Sequence, residues 1–300
     1  MRFGDEREST NFTDDTGRGG FGLGGGGFGG GGLGCLLPLI ASRFGIGGVV
    51  VLVIGYFLLS SLGGLGGGGG GGGLVPATQQ SAPAGQSNLD PQIKHFTLQV
   101  LASTEDTWSK LLQPKGIRYT PTNLHFYSES DQSGCGAAQS AMGPFYCPTD
   151  TNIYLDTEFF NELSRRFQAP GDFAMAYVIA HEVGHHVQDL TGTLGQASQL
   201  QARASETEGN AIQVKIELQA DCYAGVWAAN AKAPDGQPVM QAGDFEEGMR
   251  AAEAIGDDTL QKETQGRVVP DSFTHGTSAQ RMNALRTGYQ SGNMDACKSL

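Results

Sequence analysis

The sequence of 300 residues predicts a mainly helical α+β domain with a small β-sheet, preceded by a glycine-rich tail and one apolar segment. Most segments after residue 91 space their apolar residues as one face of a helix does, whereas the short runs 123–127 and 151–156 are typical of strands. Residues 93–101 fit either a strand or a helix. Helices are predicted near residues 103–112, 157–167, 172–190, 195–207, 209–232, 243–257 and 277–290.

Glycine dominates two early stretches, residues 17–34 and 63–73. Glycine has no side chain to bury and loses the most backbone entropy on ordering, so such stretches cannot form a packed core. The sequence therefore predicts a disordered cytoplasmic tail at residues 1–35, a flexible linker at residues 63–90 and one folded domain at residues 91–300.

An apolar segment lies between the two glycine-rich stretches. Residues 44–62 are 19 residues without a charge, about the length that crosses the hydrocarbon core of a bilayer, and the residues from Cys35 to Ile40 extend the segment across Arg43. A secretory signal peptide is the alternative, but the segment starts deep in the chain and the preceding tail is acidic as well as basic. We therefore expect one transmembrane helix at residues 36–62, with the lipid bilayer as a partner.

The distribution of charge predicts the orientation of this segment. Four arginines precede it and the next basic residue is Lys94, so the N-terminus should stay in the cytoplasm. The domain should then face the periplasm or exterior, in a single-pass protein of the inner membrane. The 15 basic and 26 acidic side chains after residue 62 leave a net charge of −11, which disfavours nucleic acid and anionic membrane surfaces as partners.

Cysteine usage agrees with export of the domain. Four cysteines follow the apolar segment and allow three pairings, of which the simplest joins Cys135 with Cys147 and Cys222 with Cys297. Buried thiols are the alternative. Disulfides form outside the cytoplasm, so paired cysteines would place the domain there.

Residues 181–186 read HEVGHH within the predicted helix 172–190. His181 and His185 are four positions apart and therefore share a helix face, where both imidazoles can bind one metal ion. Glu182 lies beside that face and can accept a proton from a metal-activated water without being a ligand. His186 lies about 100° further round the helix, so we expect it to be solvated or to support the site from behind.

A catalytic zinc site needs a third protein ligand. The candidates are His275 and the acidic residues of the predicted helix 209–232, in which Glu217 and Asp221 are again four positions apart. Glu217 could complete the coordination, and Asp221 could accept a hydrogen bond from the outer nitrogen of a ligand histidine. Alternatively, Glu217 forms an ion pair with a basic neighbour such as Lys215.

Three segments together carry a resemblance to a known family: HEVGHH, ELQADCYAGVWA at residues 217–228 and THGTSAQR at residues 274–281. From the end of the linker to the C-terminus the chain resembles the bacterial family of putative neutral zinc metallopeptidases, which carry one N-terminal transmembrane helix. The pattern is similar to that of the gluzincins, in which a glutamate from a following helix joins HExxH. The resemblance implies a zincin-like fold, a Zn²⁺ cofactor and a peptide or protein substrate.

Carried over position by position, the resemblance implies a role for each residue of the first two segments. His181, His185 and Glu217 would be the zinc ligands. Glu182 would be the general base, and Asp221 would orient a ligand histidine.

The third segment adds two candidates. In related membrane-linked gluzincins a histidine and an arginine several residues later close the site, so the resemblance implies His275 as a catalytic donor and Arg281 as a donor or supporting residue behind the ligands. Taken alone, the sequence equally allows His275 a capping or packing role. Tyr177 and Tyr223 are alternative donors to the developing oxyanion.

The expected function is that of a membrane-anchored zinc metallopeptidase. In this interpretation Glu182 takes a proton from a zinc-activated water and later protonates the leaving amine, while residues 151–156 form an edge strand along which a peptide can bind. One alternative is a non-catalytic, metal-stabilised binding or adaptor protein of the envelope, whose site a fourth side chain such as His275 would close. Another is a metal-dependent hydrolase of something other than peptides.

Overall fold

The computed structural model describes residues 1–17, 87–156, 158–165 and 169–297. This part of the chain is mainly helical with a small sheet, which confirms the predicted class. Its eight α-helices are α1 (Pro91–Leu112), α2 (Phe159–Arg165), α3 (Asp172–Leu190), α4 (Thr193–Gln201), α5 (Glu206–Asn230), α6 (Asp244–Ala254), α7 (Asp257–Gln265) and α8 (Ser278–Ser291).

Two helical regions differ from the prediction. Residues 93–112, predicted as an uncertain segment and a short helix, form the single helix α1, which begins where the Asp90 carboxylate accepts the backbone N–H of Gln92 at 2.7 Å. The predicted helix 243–257 ends at Ala254, and α7 starts separately at residue 257. The break at Gly256 allows close contact with the start of α8, where an added Cβ would overlap Ser278.

The sheet contains four strands in the order β1-β2-β6-β5. β1, β2 and β6 run parallel, and β5 pairs antiparallel with β6 at the outer edge. A separate hairpin joins β3 to β4. The strands are β1 (Phe12–Asp14), β2 (Asn123–Tyr127), β3 (Ser130–Ser133), β4 (Gly136–Gln139), β5 (Phe145–Cys147) and β6 (Asn152–Asp156).

The expectation of a disordered tail is wrong for residues 1–17, because this segment packs on the domain. β1 pairs with β2, placing Thr13 opposite His125. Phe3 is buried in the main hydrophobic core, and the backbone N–H of Ser9 donates to the carbonyl of Leu98 at 3.0 Å. These contacts compensate for the entropy lost on ordering the segment.

Ion pairs also hold the N-terminal segment. The terminal ammonium of Met1 lies 3.2 Å from the Asp244 carboxylate, and Arg7 lies 2.8 Å from the buried carboxylate of Glu105. A strand cannot pair with another through a bilayer, so this packing puts residues 1–17 and the domain on the same side of any membrane. It disagrees with the expected arrangement of a cytoplasmic N-terminus and an exported domain.

The predicted transmembrane helix at residues 36–62 lies outside the described residues, as do residues 18–35 and 63–86. Within the described ranges, no helix combines the length and the apolar character that crossing a bilayer requires.

The core surrounds α3, which packs against α1, α5 and α6. Phe173 of α3 stacks on Trp227 of α5 with ring centroids 6.3 Å apart, and the Trp227 indole N–H donates to the Ser103 hydroxyl of α1 at 3.2 Å. The polar end of the buried indole therefore has a partner, as the burial of such a group requires. α3 and α5 are thus held side by side, which brings their polar residues together.

Both disulfides have the simplest predicted pairing. Cys135 is bonded to Cys147 and joins the β3–β4 hairpin to β5. Cys222 is bonded to Cys297 and ties the end of the described chain to α5.

Candidate metal centre

The HEVGHH segment lies in the second half of α3, where the helix is buried on almost every side. The rings of His181 and His185 have centroids 4.8 Å apart and stand nearly perpendicular, so both reach one point in front of the helix. The Gly184 between them permits α5 to approach closely, because a Cβ at this position would lie 3.0 Å from the Ala220 carbonyl oxygen.

The close approach of α5 brings in the third predicted ligand. Glu217 Oε2 lies 3.1 Å from His181 Nε2 and 3.4 Å from His185 Nε2. One ligand atom from each of the three residues lies within 4.8 Å of the others. Two imidazole nitrogens and a carboxylate oxygen are a donor set that suits zinc.

Hydrogen bonds behind the three residues orient their ligand atoms. His181 Nδ1 lies 2.7 Å from Asp221 Oδ1, and His185 Nδ1 lies 2.8 Å from Gln188 Oε1. Each outer nitrogen donates to its partner, which leaves Nε2 with a free lone pair facing the centre. The second oxygen of Glu217 accepts from Gln213 Nε2 at 2.8 Å.

Sequence reasoning did not identify the two glutamines of this arrangement. Gln188 follows His185 by three positions and Gln213 precedes Glu217 by four, so each lies on the same helix face as the residue it supports. Applied one turn beyond the ligands, the same spacing rule could have identified both.

Asp221 is held by two further buried groups. The Arg281 guanidinium donates to both of its carboxylate oxygens at 2.9 Å, and the Tyr177 hydroxyl donates to Oδ1 at 2.6 Å. Burial alone would raise the pKa of Asp221, but the adjacent Arg281 and His181 hold it well below its ordinary value. Asp221 is therefore an anion with fixed orientation.

This arrangement corrects two of the proposed donors, Tyr177 and Tyr223, and gives Arg281 the supporting role of the two that were expected of it. Tyr177 is fully buried and bonded to Asp221, and Tyr223 is buried against Trp108, with ring centroids 5.2 Å apart, so both hydroxyl-bearing rings belong to the core. The Arg281 side chain is bound to Asp221 and is almost completely buried. Arg281 thus acts on His181 through Asp221.

Glu182 lies beside the three converging atoms and is also buried. Burial raises the pKa of its carboxyl above the ordinary value, while His181, His185 and the nearby backbone of Tyr146 oppose the rise. Glu182 thus faces the sheet at Tyr146.

Tyr146 belongs to β5, and β5 rather than residues 151–156 is the edge strand next to the active-site helix. β6 (Asn152–Asp156) lies between β2 and β5, with both of its edges already paired. The Tyr146 hydroxyl donates to Asp189 of α3 at 2.9 Å and lies 3.1 Å from Nδ1 of His186. These contacts fasten β5 along the helix.

His186 is neither solvated nor positioned as a ligand. Its side chain is buried, and Nε2 donates to the Thr120 carbonyl at 2.6 Å. Burial lowers the pKa of His186, so the ring stays neutral and joins α3 to the chain that leads into β2.

His275 lies in the loop before α8 and is held there by Asp257. One Asp257 oxygen accepts the backbone N–H groups of Thr274, His275 and Gly276 at 2.7, 2.7 and 3.0 Å, and the other lies 3.3 Å from the His275 Nδ1. Burial opposes protonation of the ring, yet Asp257 and Glu217 raise the pKa of His275 above its ordinary value. His275 is thus close enough to Glu217 to interact with it but is not one of the three converging residues.

Comparison with known proteins places this geometry in context. The model of a family described as "Putative neutral zinc metallopeptidase" matches residues 1–300. The chain is 45% identical over 251 residues to the uncharacterized protein YpfJ of Escherichia coli K12, covering 84% of each chain. It is 42% identical over 203 residues to the uncharacterized protein Rv2575 of Mycobacterium tuberculosis H37Rv, covering 65% of this chain and 66% of that one. No solved structure matches.

Proposed function

Because the chain belongs to the putative neutral zinc metallopeptidase family, whose cofactor is zinc, we propose that it hydrolyses peptide bonds with Glu182 as the general base. The observation that carries the proposal is the convergence of His181 Nε2, His185 Nε2 and Glu217 Oε2 beside a buried carboxylate that is not itself one of the converging groups. Only three side chains form this group among the described residues, which is the number of protein ligands in catalytic zinc sites, where water takes the fourth position. A closed structural site would need a fourth.

Zinc held by these three side chains would polarise a scissile carbonyl and make a nearby water more acidic. Glu182 would accept the proton of that water and transfer it to the leaving amine. Asp221 keeps the proton of His181 on Nδ1, and Gln188 does the same for His185, so that both Nε2 lone pairs remain available.

β5 supplies a surface for an extended substrate. One edge of this strand is paired with β6, and its backbone contacts Glu182 through Tyr146. A peptide added along the other edge would pass in front of the metal centre and gain backbone hydrogen bonds without a strict sequence requirement.

His275 is the proposed donor to the developing oxyanion. Its side chain is 34% exposed, and Asp257 fixes the Nδ1 side of the ring. The Nε2 atom on the opposite side of the ring is the one available to a substrate. Because Asp257 accepts the Nδ1 hydrogen, Nε2 carries a hydrogen only in the protonated ring, whose pKa is raised. That charged N–H donor would stabilise negative charge on the carbonyl oxygen.

The decisive experiment measures peptide hydrolysis and zinc content together in the purified full chain. Glu182→Gln is expected to lower the hydrolysis of an unbiased peptide library by about 10²- to 10⁴-fold, the usual contribution of a general base, while the bound zinc stays equal to that of wild type. Glu162→Gln, the same change at an exposed residue of α2, is the matched control. Unchanged hydrolysis in Glu182→Gln would contradict the mechanism, and zinc binding without hydrolysis in wild type would favour the adaptor.

We also propose that residues 1–17 and the domain lie together outside the cytoplasm, and that the apolar segment between them attaches the chain to a membrane without separating them. The two disulfides support export, and the 19 uncharged residues 44–62 support attachment. Fractionation tests the attachment: the full chain should resist extraction from membranes by alkaline carbonate, and a deletion of residues 44–62 should release it. Extraction of the intact chain would contradict attachment.

A further inference from the structure

A second cluster of side chains of metal-binding types lies at the end of the sheet opposite β5. Asp15 directly follows β1, His125 is in the middle of β2 and Asp131 is in β3. His125 Nε2 lies 2.8 Å from Asp15 Oδ2 and 2.9 Å from Asp131 Oδ2, and one ligand atom from each residue lies within 4.8 Å of the others. Three separate elements therefore bring one nitrogen and two carboxylate oxygens to one point.

Hydrogen bonding within the cluster does not satisfy Asp131. An imidazole nitrogen carries at most one hydrogen, so Nε2 cannot donate fully to two carboxylates in different directions. Asp131 Oδ2 is buried and accepts no hydrogen bond, whereas its Oδ1 accepts the backbone N–H of Gln132 at 2.7 Å. A buried carboxylate oxygen without a donor is destabilising unless a cation lies next to it.

We propose that Asp15, His125 and Asp131 bind a second divalent cation, of the Zn²⁺ or Mn²⁺ type. One imidazole and two carboxylates form a mixed nitrogen and oxygen donor set that such ions accept. The three side chains are 15%, 15% and 23% exposed, so water can reach the site and supply the remaining ligands. A bound ion would place a positive charge directly against Asp131 Oδ2, which accepts no hydrogen bond.

The ion would lock the N-terminal segment to the domain. Asp15 belongs to that segment, and its backbone N–H donates to the Phe126 carbonyl of β2 at 3.0 Å. Asp131 belongs to the β3–β4 hairpin, which the Cys135–Cys147 disulfide joins to β5. One ion would thus connect the N-terminal segment, β2 and the β3–β4 hairpin at a single point.

The cluster also reaches the catalytic edge of the sheet through stacked rings. His125 stacks on Tyr154 of β6, and Tyr154 stacks on Phe145 of β5, each pair with centroids 5.1 Å apart and planes within 16°. The backbone of the next residue, Tyr146, lies near the Glu182 carboxyl. An ion that fixes the His125 ring therefore stiffens the layer that supports β5, so its role is structural.

Metal stoichiometry of the untagged full chain, dialysed against buffered Zn²⁺ or Mn²⁺, tests the proposal. Wild type should hold two equivalents, Asp131→Asn one and Glu217→Gln one, with the double variant close to none. Asp106→Asn is the matched control, because it removes an exposed partner of Arg7 in the N-terminal segment but none of the three ligands, and it should keep two. One equivalent in wild type, or two in Asp131→Asn, would overturn the proposal.

A second measurement keeps the test valid if Asp131→Asn fails to fold. In the Glu217→Gln background, added Zn²⁺ should raise the midpoint temperature of thermal unfolding. It should also slow hydrogen exchange of the β1 amides by at least about tenfold, because an ion that binds only the native state stabilises that state. The added change Asp15→Asn should abolish both effects. Equal responses with and without Asp15→Asn would show that this cluster does not bind the ion.

Discussion

At the residue scale, the centre depends on Asp221. This carboxylate accepts hydrogen bonds from His181, Tyr177 and Arg281, and all three of these residues are buried. Because a buried carboxylate is costly without partners, Arg281 compensates for the charge while it fixes the direction of both oxygens. The orientation of His181 is therefore set by α8, a helix that contributes none of the three converging residues.

The first prediction concerns Arg281. Arg281→Lys keeps the charge but loses the planar pair of hydrogen bonds to Asp221, so we expect zinc affinity to fall by about 10- to 100-fold. Competition with a chromophoric chelator measures the affinity. Arg286→Lys, the same change at an exposed position of α8, is the control and should leave the affinity unchanged. Equal affinities in the two variants would mean that Asp221 is held without the guanidinium.

The second prediction concerns Asp257 and acid stability. The Asp257 carboxylate accepts hydrogen bonds from His275 and from the loop amides. These bonds hold the pKa of Asp257 below its ordinary value of 3.8, although burial alone would raise it. A lowered pKa of this carboxyl adds to the free energy of unfolding. The contribution is fully present when the pH is above the ordinary pKa, and it is lost as the pH falls through the pKa of the group in the folded protein. Asp257→Asn should therefore flatten the dependence of the free energy of unfolding on pH below about pH 4.

The measurement uses urea unfolding of metal-free protein at several pH values, so that zinc release does not contribute. Asp271→Asn, at an exposed residue of the same loop, is the control and should retain the wild-type slope. A wild-type slope in Asp257→Asn would contradict the assignment.

At this scale, the sequence predicts the residues that the structure brings together in the metal centre but not all of their partners. Two i, i+4 pairs were recognisable because a helix turn places such residues on one face. Asp257 was not recognisable, because its partners are backbone amides 17 to 19 positions away, and no local spacing rule connects them. Tyr177 was assigned to a different role because only packing decides whether a tyrosine faces a cleft or the core.

At the scale of elements, the close contact between α5 and α8 delivers Arg281 to Asp221. Gly225 of α5 and Gly288 of α8 lie at the crossing, where an added Cβ would overlap the Leu285 and Cys222 carbonyl oxygens respectively. Glycine is required there because the neighbouring atoms belong to the backbone and cannot move aside.

The third prediction tests this contact. Gly288→Ala should lower the free energy of unfolding by about 1–3 kcal/mol, the usual cost of overpacking, and should weaken zinc binding by displacing α8. Gly209→Ala is the control, since this glycine of α5 has open space around it and alanine there should be neutral or stabilising by about 0.5–1 kcal/mol. Chemical denaturation measures both, and equal stability of the two variants would rule out the steric role of Gly288.

Most helices could be predicted from periodicity, but the strand that matters most for substrate could not. β5 has three residues and follows Gly143-Pro144, too short a run for an alternating pattern. Residues 151–156 have the stronger strand pattern because β6 is a buried inner strand, and that burial excludes them from the edge. Strand pattern therefore indicates burial and cannot by itself identify an edge.

At the scale of the whole molecule, the N-terminal segment changes the expected topology. Residues 1–17 contribute a strand to the sheet, a buried phenylalanine and a cluster of ion pairs, so they belong to the folded unit although 69 residues separate them from residue 87. The charge rule that predicts a cytoplasmic N-terminus considers only the residues flanking an apolar segment. It takes no account of contacts made after folding.

The fourth prediction is that both parts face the same side of the membrane. In a Cys35→Ser background, single cysteines placed at the exposed residues Asp5 and Gln290 should react equally with a membrane-impermeant maleimide in intact spheroplasts. A cysteine in a cytoplasmic protein is the control and should react only after lysis. Labelling at Gln290 without labelling at Asp5 would restore the single-pass arrangement and contradict the packing of β1.

The sequence by itself determined the helical framework, the His181, Glu182 and His185 spacing, the Glu217 and Asp221 pair and the simplest cysteine pairing. Each of these follows from helix geometry or from counting residues, which are local properties of the chain. Only the tertiary structure decided which strand is the edge, what holds Asp221 and His275, and that residues 1–17 belong to the domain. Those outcomes depend on contacts between residues far apart in sequence, where close packing and the pairing of buried charges select one arrangement among many that the local pattern allows.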